Sequence, residues 1–163
     1  MNYHVADNAA GQDVGAAFTT GVPMTRSDII EISSRAAINM HDEYFYHASP
    51  DHFWIQWRFT ELQRMISGIQ LGDQILEVGS GNGVMQGMFE KALGVPVHGC
   101  DLNLEALQQT GPTQGNVYLY DVIERCPEWE NWFHTVLLLD VLEHIEYAIE
   151  FLTAIRFHIK PGG

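Results

Sequence analysis

The stretch ILEVGSGNG, residues 75 to 83, sets glycines at positions 79, 81 and 83 directly behind a short apolar run that contains the acid Glu77. Glycines in such a place let the backbone turn tightly and approach a ligand closely. A dinucleotide cradle of the G-x-G-x-x-G type needs glycine at position 84, where Val84 stands. No basic residue lies between Gly79 and Gln86, and the charge of Glu77 suits a cationic ligand better than a pyrophosphate. Asp101 follows Gly83 by 18 residues and closes a second apolar run, where a carboxylate can accept both hydroxyls of a ribose. Asp121 closes a third run, YLYDV. It can accept from the exocyclic amine of a purine while Leu102 and Val122 pack on the base faces. Each acid alone could be a turn or cap residue; three at three strand ends point to a nucleoside without phosphates.

Elements of alternating type must carry these residues. QILEVG reads as a short strand, VMQGMFEKAL as a helix closed by Gly94, VPVHGCD as a second strand and LEALQQT as a short helix. NVYLYD and the nearly all-apolar FHTVLLLD give strands three and four, the last read as buried on both faces. A final helix is expected from Ile145, Ala148, Ile149, Leu152, Ile155 and Ile159, ending at KPGG. Upstream, Ile55, Phe59, Leu62, Ile66 and Ile69 recur at helical steps, with Trp54 and Arg58 on a neighbouring flank. Ile29, Ile30, Ala36 and Ala37 suggest another helix from Ser27. The fold class expected is α/β: a Rossmann-like, doubly wound parallel sheet, partial, with strand order 3-2-1-4 and N-terminal helices. Residues 1–24 are small, polar and glycine-rich and read as a flexible lead-in to one domain over 25–163.

Composition narrows the partners. Twenty-one acids stand against eight Lys plus Arg, a formal charge of −13, and the basic residues are scattered, so a nucleic-acid backbone is an unsuitable partner. No apolar run is long enough to span a membrane and no secretory leader is visible. Cys100 and Cys126 lack metal-like or redox-like spacing and read as reduced thiols of a cytoplasmic protein.

Together, ILEVGSGNG, VHGCDLN, YLYDV, LLLDVLEHI and IKPGG resemble the class I S-adenosylmethionine-dependent methyltransferases, in order and spacing from residue 74 to the end. HFWIQWR is similar to an HFW-x-x-x-R helix found in a broad subgroup of them. The resemblance implies that Glu77 and the backbone of Gly79, Ser80, Gly81 and Gly83 hold the methionine part of the cofactor. It gives the ribose to Asp101 and the adenine to Asp121 and Val122, with Leu102 also in the cofactor set. Arg58 matches the arginine that pairs with the cofactor carboxylate in similar enzymes, although an exposed helix arginine would have the same spacing. Asp140 is counted in the cofactor set.

Methyl transfer from a sulfonium needs alignment more than a nucleophile, because the leaving group is already good. For a hydroxyl acceptor a base must take the proton, and His144 in DVLEH is the candidate, a helix cap being the alternative. Asp140, Glu143 and His144 are also similar to an E-x-x-E-H metal motif, with Asp in place of the first Glu; the reading adopted is no metal. The family's KPGG normally precedes further strands, so the chain reads as truncated, with the fourth strand an apolar edge that a second copy or a partner would cover. Such a chain would bind cofactor with weak or absent catalysis. The expected function is methyl transfer to a small hydroxyl, amine or carbon acceptor. The alternatives are a non-catalytic cofactor-binding or scaffolding module of the same fold and, further off, an NAD-dependent oxidoreductase.

Overall fold

The computed structural model describes residues 25–33 and 49–163. The expected lead-in over residues 1–24 and the expected helical positions Ala36 and Ala37 lie outside the described residues. Among the described residues the strands and α-helices follow in order: β1 (Ile30–Glu31), α1 (Phe53–Met65), β2 (Ile75–Val78), α2 (Val84–Leu93), β3 (Val97–Asp101), α3 (Leu104–Gln108), β4 (Val117–Leu119), β5 (Thr135–Leu138) and α4 (Ala148–His158). The sheet is parallel in every pair, with order β1-β4-β3-β2-β5. The four expected strands therefore stand in the expected 3-2-1-4 order, and β1 adds a fifth at the β4 edge.

That fifth strand corrects the helix expected from Ser27. Ile30 and Glu31 pair with Tyr118 and Leu119, and the N–H groups of Ile32 and Ser33 both donate to the Leu119 carbonyl. An open sheet edge offers a row of unpaired donors and acceptors. Ile29 gains burial against Leu107, Val117 and Leu119 only when the segment is extended along it. Local helical spacing yields to that edge.

β2 is buried at all four positions, because β3 and β5 flank it and helices cover both faces. Successive residues point to opposite faces. Leu76 and Val78 pack with Phe151 and Ile155 of α4, whereas Ile75 packs with Ile55 of α1 and Met85 and Phe89 of α2. Phe59 meets Phe89 edge-on with ring centroids 5.1 Å apart. Glu77 shares the face of Ile75, so its carboxylate lies on the α1 and α2 side.

The helix register at the end of the chain also differs from expectation. α4 buries Phe151, Ala154, Ile155 and His158, while Ile149 is 81% and Leu152 39% exposed. AIEFLTAIRFH has apolar residues on two faces, and a specific bond selects between them. The His158 ring bonds to the Ala154 carbonyl through Nδ1 at 2.7 Å, leaving Nε2 to accept from the Tyr120 hydroxyl at 2.8 Å. Tyr120 in turn accepts the Cys126 N–H at 2.7 Å. Burial lowers the His158 pKa and pushes that of Tyr120 up to about 12, so both stay neutral. Tyr120→Phe leaves a buried imidazole nitrogen and an N–H without a partner. Chemical denaturation is expected to show a loss of about 2 kcal/mol.

β5 is half-buried throughout, not enclosed on both faces as its composition suggests. Just before it, among the described residues, Phe133 forms an isolated parallel bridge with Ile159. No described helix is long and apolar enough to cross a membrane.

Candidate functional site

The carboxyl ends of β2, β3 and β5 and the turns that follow them carry most of the residues singled out in the sequence. Gly79, Gly81 and Gly83 all have positive φ, 75°, 54° and 71°. This left-handed backbone is open to glycine at little cost and is strained for other residues. The alternation thus has a structural cause: every second residue of the loop is left-handed. The N–H groups of Gly79 and Ser80 both donate to the Cys100 carbonyl, at 2.8 and 3.0 Å, which folds the loop back over the end of β3. A Cβ at position 79 would overlap Val141, and one at 83 would overlap the Thr110 methyl. Gly79→Ala combines the left-handed penalty with that overlap. Urea titration is expected to show about 2 kcal/mol of destabilisation.

Asp101 is the clamp of this loop. Its Oδ2 accepts the Gly81 N–H at 2.8 Å and its Oδ1 accepts the Asn103 N–H at 2.8 Å. Burial raises its pKa against the opposing pull of those backbone donors. Each carboxylate oxygen has a second lone pair, so acceptor capacity remains for hydroxyls.

Glu77 is 2% exposed, and its Oε2 has no hydrogen-bond partner. Burial raises its pKa to about 8; Arg58 lowers it, the charge of Asp101 raises it and a bond from the Gln86 backbone lowers it. Gln86 lies in the first turn of α2, whose N-cap Gly83 has no side chain to offer. Glu77 therefore meets a helix N-terminal donor from across the fold. Gln86 itself is fully buried, with Nε2 donating to the Val97 carbonyl at 2.7 Å. Ser80 Oγ is a further buried atom without a partner.

Arg58 reaches over from α1 and forms an ion pair with Asp140. Asp140 has a φ of 55°, in the left-handed region, at the end of β5. Arg58, Asp140, Glu77 and Asp101 are thereby brought into one electrostatic group. Asp121 lies at the end of β4, with Oδ1 accepting the Ile123 N–H at 2.9 Å. Its own N–H donates to Ser33 Oγ, and Ser33 donates to Glu124. Leu102 is half-buried, but the Val122 side chain is packed into the core beneath α4 and not against a base face as expected. His144 and Glu143 are exposed in a 3-10 turn, Leu142–His144, beyond β5. Among the described residues no group of three or more His, Cys, Asp or Glu side chains could hold a metal ion.

Sequence reasoning missed Gln86, Ser33 and Val141. An uncapped glycine ahead of a helix, beside a strand with an acid at its penultimate position, is a usable signal for the Gln86 contact. The other two contacts have no local signal.

A glycine loop between a central strand and a helix, with acids at the ends of neighbouring parallel strands, defines the class of nucleoside-binding α/β domains. Within it, a family model described as a methyltransferase domain matches residues 76–163, and the chain belongs to that family. No curated protein matches the chain significantly. Solved structures with the same fold include phosphoethanolamine N-methyltransferase 2 of Haemonchus contortus in complex with S-adenosyl-L-methionine. It shares 22% identity, with a TM-score of 0.58 over 74% of this chain and 30% of that one. An S-adenosylmethionine-dependent methyltransferase from Archaeoglobus fulgidus shares 22%, with a TM-score of 0.55 over 73% and 52%. A protein of Pyrococcus horikoshii shares 16%, with a TM-score of 0.62 over 76% and 64%. The chain spans less than two thirds of the length of each.

Proposed function

We propose that this chain binds S-adenosylmethionine at the carboxyl ends of β2, β3 and β4 and transfers its methyl group to a small-molecule acceptor. The observation that carries the reading is the Glu77 carboxylate, buried beside the glycine loop with one oxygen unpartnered. A buried acceptor without a partner is costly unless a ligand supplies the donor. The residues fit this cofactor: Glu77 and the 79–83 backbone would hold the amino-acid end, Asp101 the ribose, and Asp121 with the Val122 backbone the base. Ser80 Oγ adds a second unpartnered buried atom in the same loop. Arg58 would bind the cofactor carboxylate while keeping Asp140 as its counter-ion.

When bound, S-adenosylmethionine supplies a methyl carbon on a sulfonium sulfur, a reactive centre with a good leaving group. The protein's part is to hold that carbon in line with an acceptor and to exclude water. His144 would take the proton from a hydroxyl acceptor. The acidic surface supports a small-molecule acceptor over a nucleic acid. The free thiols of Cys100 and Cys126 support a reducing, cytoplasmic setting. Calorimetric titration with S-adenosylhomocysteine tests the reading. Micromolar binding supports it, and no heat at millimolar ligand defeats it.

A further inference from the structure

α1 carries more than Arg58 beside the site. Ile55, Phe59, Leu62 and Ile66 fill the face toward β2 and α2. Trp54 precedes Arg58 by one turn on the adjoining flank, and Trp57 stands next to it, further from the core. Both indoles are about half exposed, 51% and 55%, and their rings are 5.0 Å apart at 32°. They form a paired aromatic surface that the core does not use. It adjoins the guanidinium that pairs with Asp140, and Asp140 is itself 46% exposed. Exposed Glu143 lies in the next turn, and the whole chain carries a formal charge of −13. Aromatic faces attract cations through their quadrupole, and surrounding carboxylates draw cations in and repel anions.

We propose that Trp54 and Trp57 form the acceptor-side wall of the site and recognise an acceptor that carries a positively charged ammonium group. The proposal rests on the methyltransferase reading and adds to it the chemical class of the second substrate. Trp54, closer to Arg58, makes the main contact, and Trp57 backs it. An anionic acceptor meets the exposed Glu143 carboxylate at this mouth, because the Arg58 guanidinium is already paired with Asp140. A neutral one of the same shape forgoes the cation–π attraction.

The test is tryptophan fluorescence of the full chain, saturated with S-adenosylhomocysteine, titrated with choline and with its neutral isostere 3,3-dimethyl-1-butanol. Choline is expected to bind about tenfold more tightly than the isostere. Trp54→Ala is expected to remove that preference, and Trp57→Ala to reduce it. Trp132→Phe, an exposed indole at the opposite end of β5, keeps the preference. Unchanged melting temperatures confirm that the variants fold. Equal binding of the two probes, or a Trp54→Ala variant that keeps the preference, overturns the proposal. Calorimetry with S-adenosylhomocysteine alone reads the cofactor half independently. Cofactor binding without choline preference defeats only this inference, whereas loss of cofactor binding defeats the reading beneath it.

Discussion

Glu77→Gln is expected to weaken S-adenosylhomocysteine binding about 100-fold and, in the same protein, to raise thermal stability at pH 8. The first effect follows from the role proposed above for the carboxylate. Removing a charge-assisted contact to an ammonium group costs about 3 kcal/mol, which is about two decades in Kd. The second follows from burial. The folded-state pKa lies near 8, above the ordinary 4.5. Between those values the folded protein holds a proton that the unfolded chain releases, so stability falls as pH rises through the window and levels off above it. A neutral amide avoids that loss, which is on the order of a few kcal/mol. The melting temperature of the native protein should therefore decline from pH 5 to pH 8, and that of Glu77→Gln should stay flatter. Binding of a cationic ligand favours the ionised carboxylate, so proton release accompanies it at pH 7. Calorimetry in two buffers of different ionisation enthalpy reads this directly. A variant that loses binding and stability together would place Glu77 in the scaffold instead.

Glu90→Ala is expected to cost about 4 kcal/mol, a large share of the stability of a domain this size. Glu90 is 4% exposed on α2, and its carboxylate accepts three backbone N–H groups: Val97 at 3.1 Å, Gln114 at 2.8 Å and Gly115 at 2.6 Å. They belong to the start of β3 and the turn before β4, where Gly115 lies so close to the Val97 carbonyl that no side chain fits. Truncation leaves three donors unpaired, two of them on buried residues, and each orphan costs about 1–3 kcal/mol. Glu90→Gln keeps one acceptor oxygen and should lose about half as much. Equilibrium denaturation of the two variants gives both numbers, and equal losses would show that packing rather than acceptor capacity matters.

Neither the Glu90 clamp nor the strand at residues 30–31 is legible in the sequence, and for the same reason. Glu90 sits in VMQGMFEKAL, where its type and spacing match an exposed helix acid. Only the return of residues 97, 114 and 115 to its side makes it a buried acceptor. Ile29 and Ile30 carry helical spacing, yet their burial depends on the β4 edge nearly ninety residues later. The face of α4 is open in the sequence because two apolar faces satisfy one period, and the Tyr120–His158 bond, between residues far apart, fits only one of them. The pairing of Arg58 with Asp140 joins an early helix to the end of β5, and neither local sequence announces it.

What the sequence by itself determined is local and periodic. Alternating short β-rich runs and helical stripes dictate a parallel α/β sheet. Glycines at 79, 81 and 83 mark a tight loop, Asp101 and Asp121 stand at strand ends where turns place acids, and Glu77 stands within its apolar run, one residue before the end. Tertiary structure alone decided which of these acids is buried, clamped or paired. Glu77 became a desolvated carboxylate with a free oxygen because the period of β2 turns it under α1 and α2, away from water. Asp101 became the loop's clamp because β3 lies beside β2. Burial and charge pairing are properties of the closed chain: they depend on distances between residues far apart in sequence, which spacing along one segment does not encode.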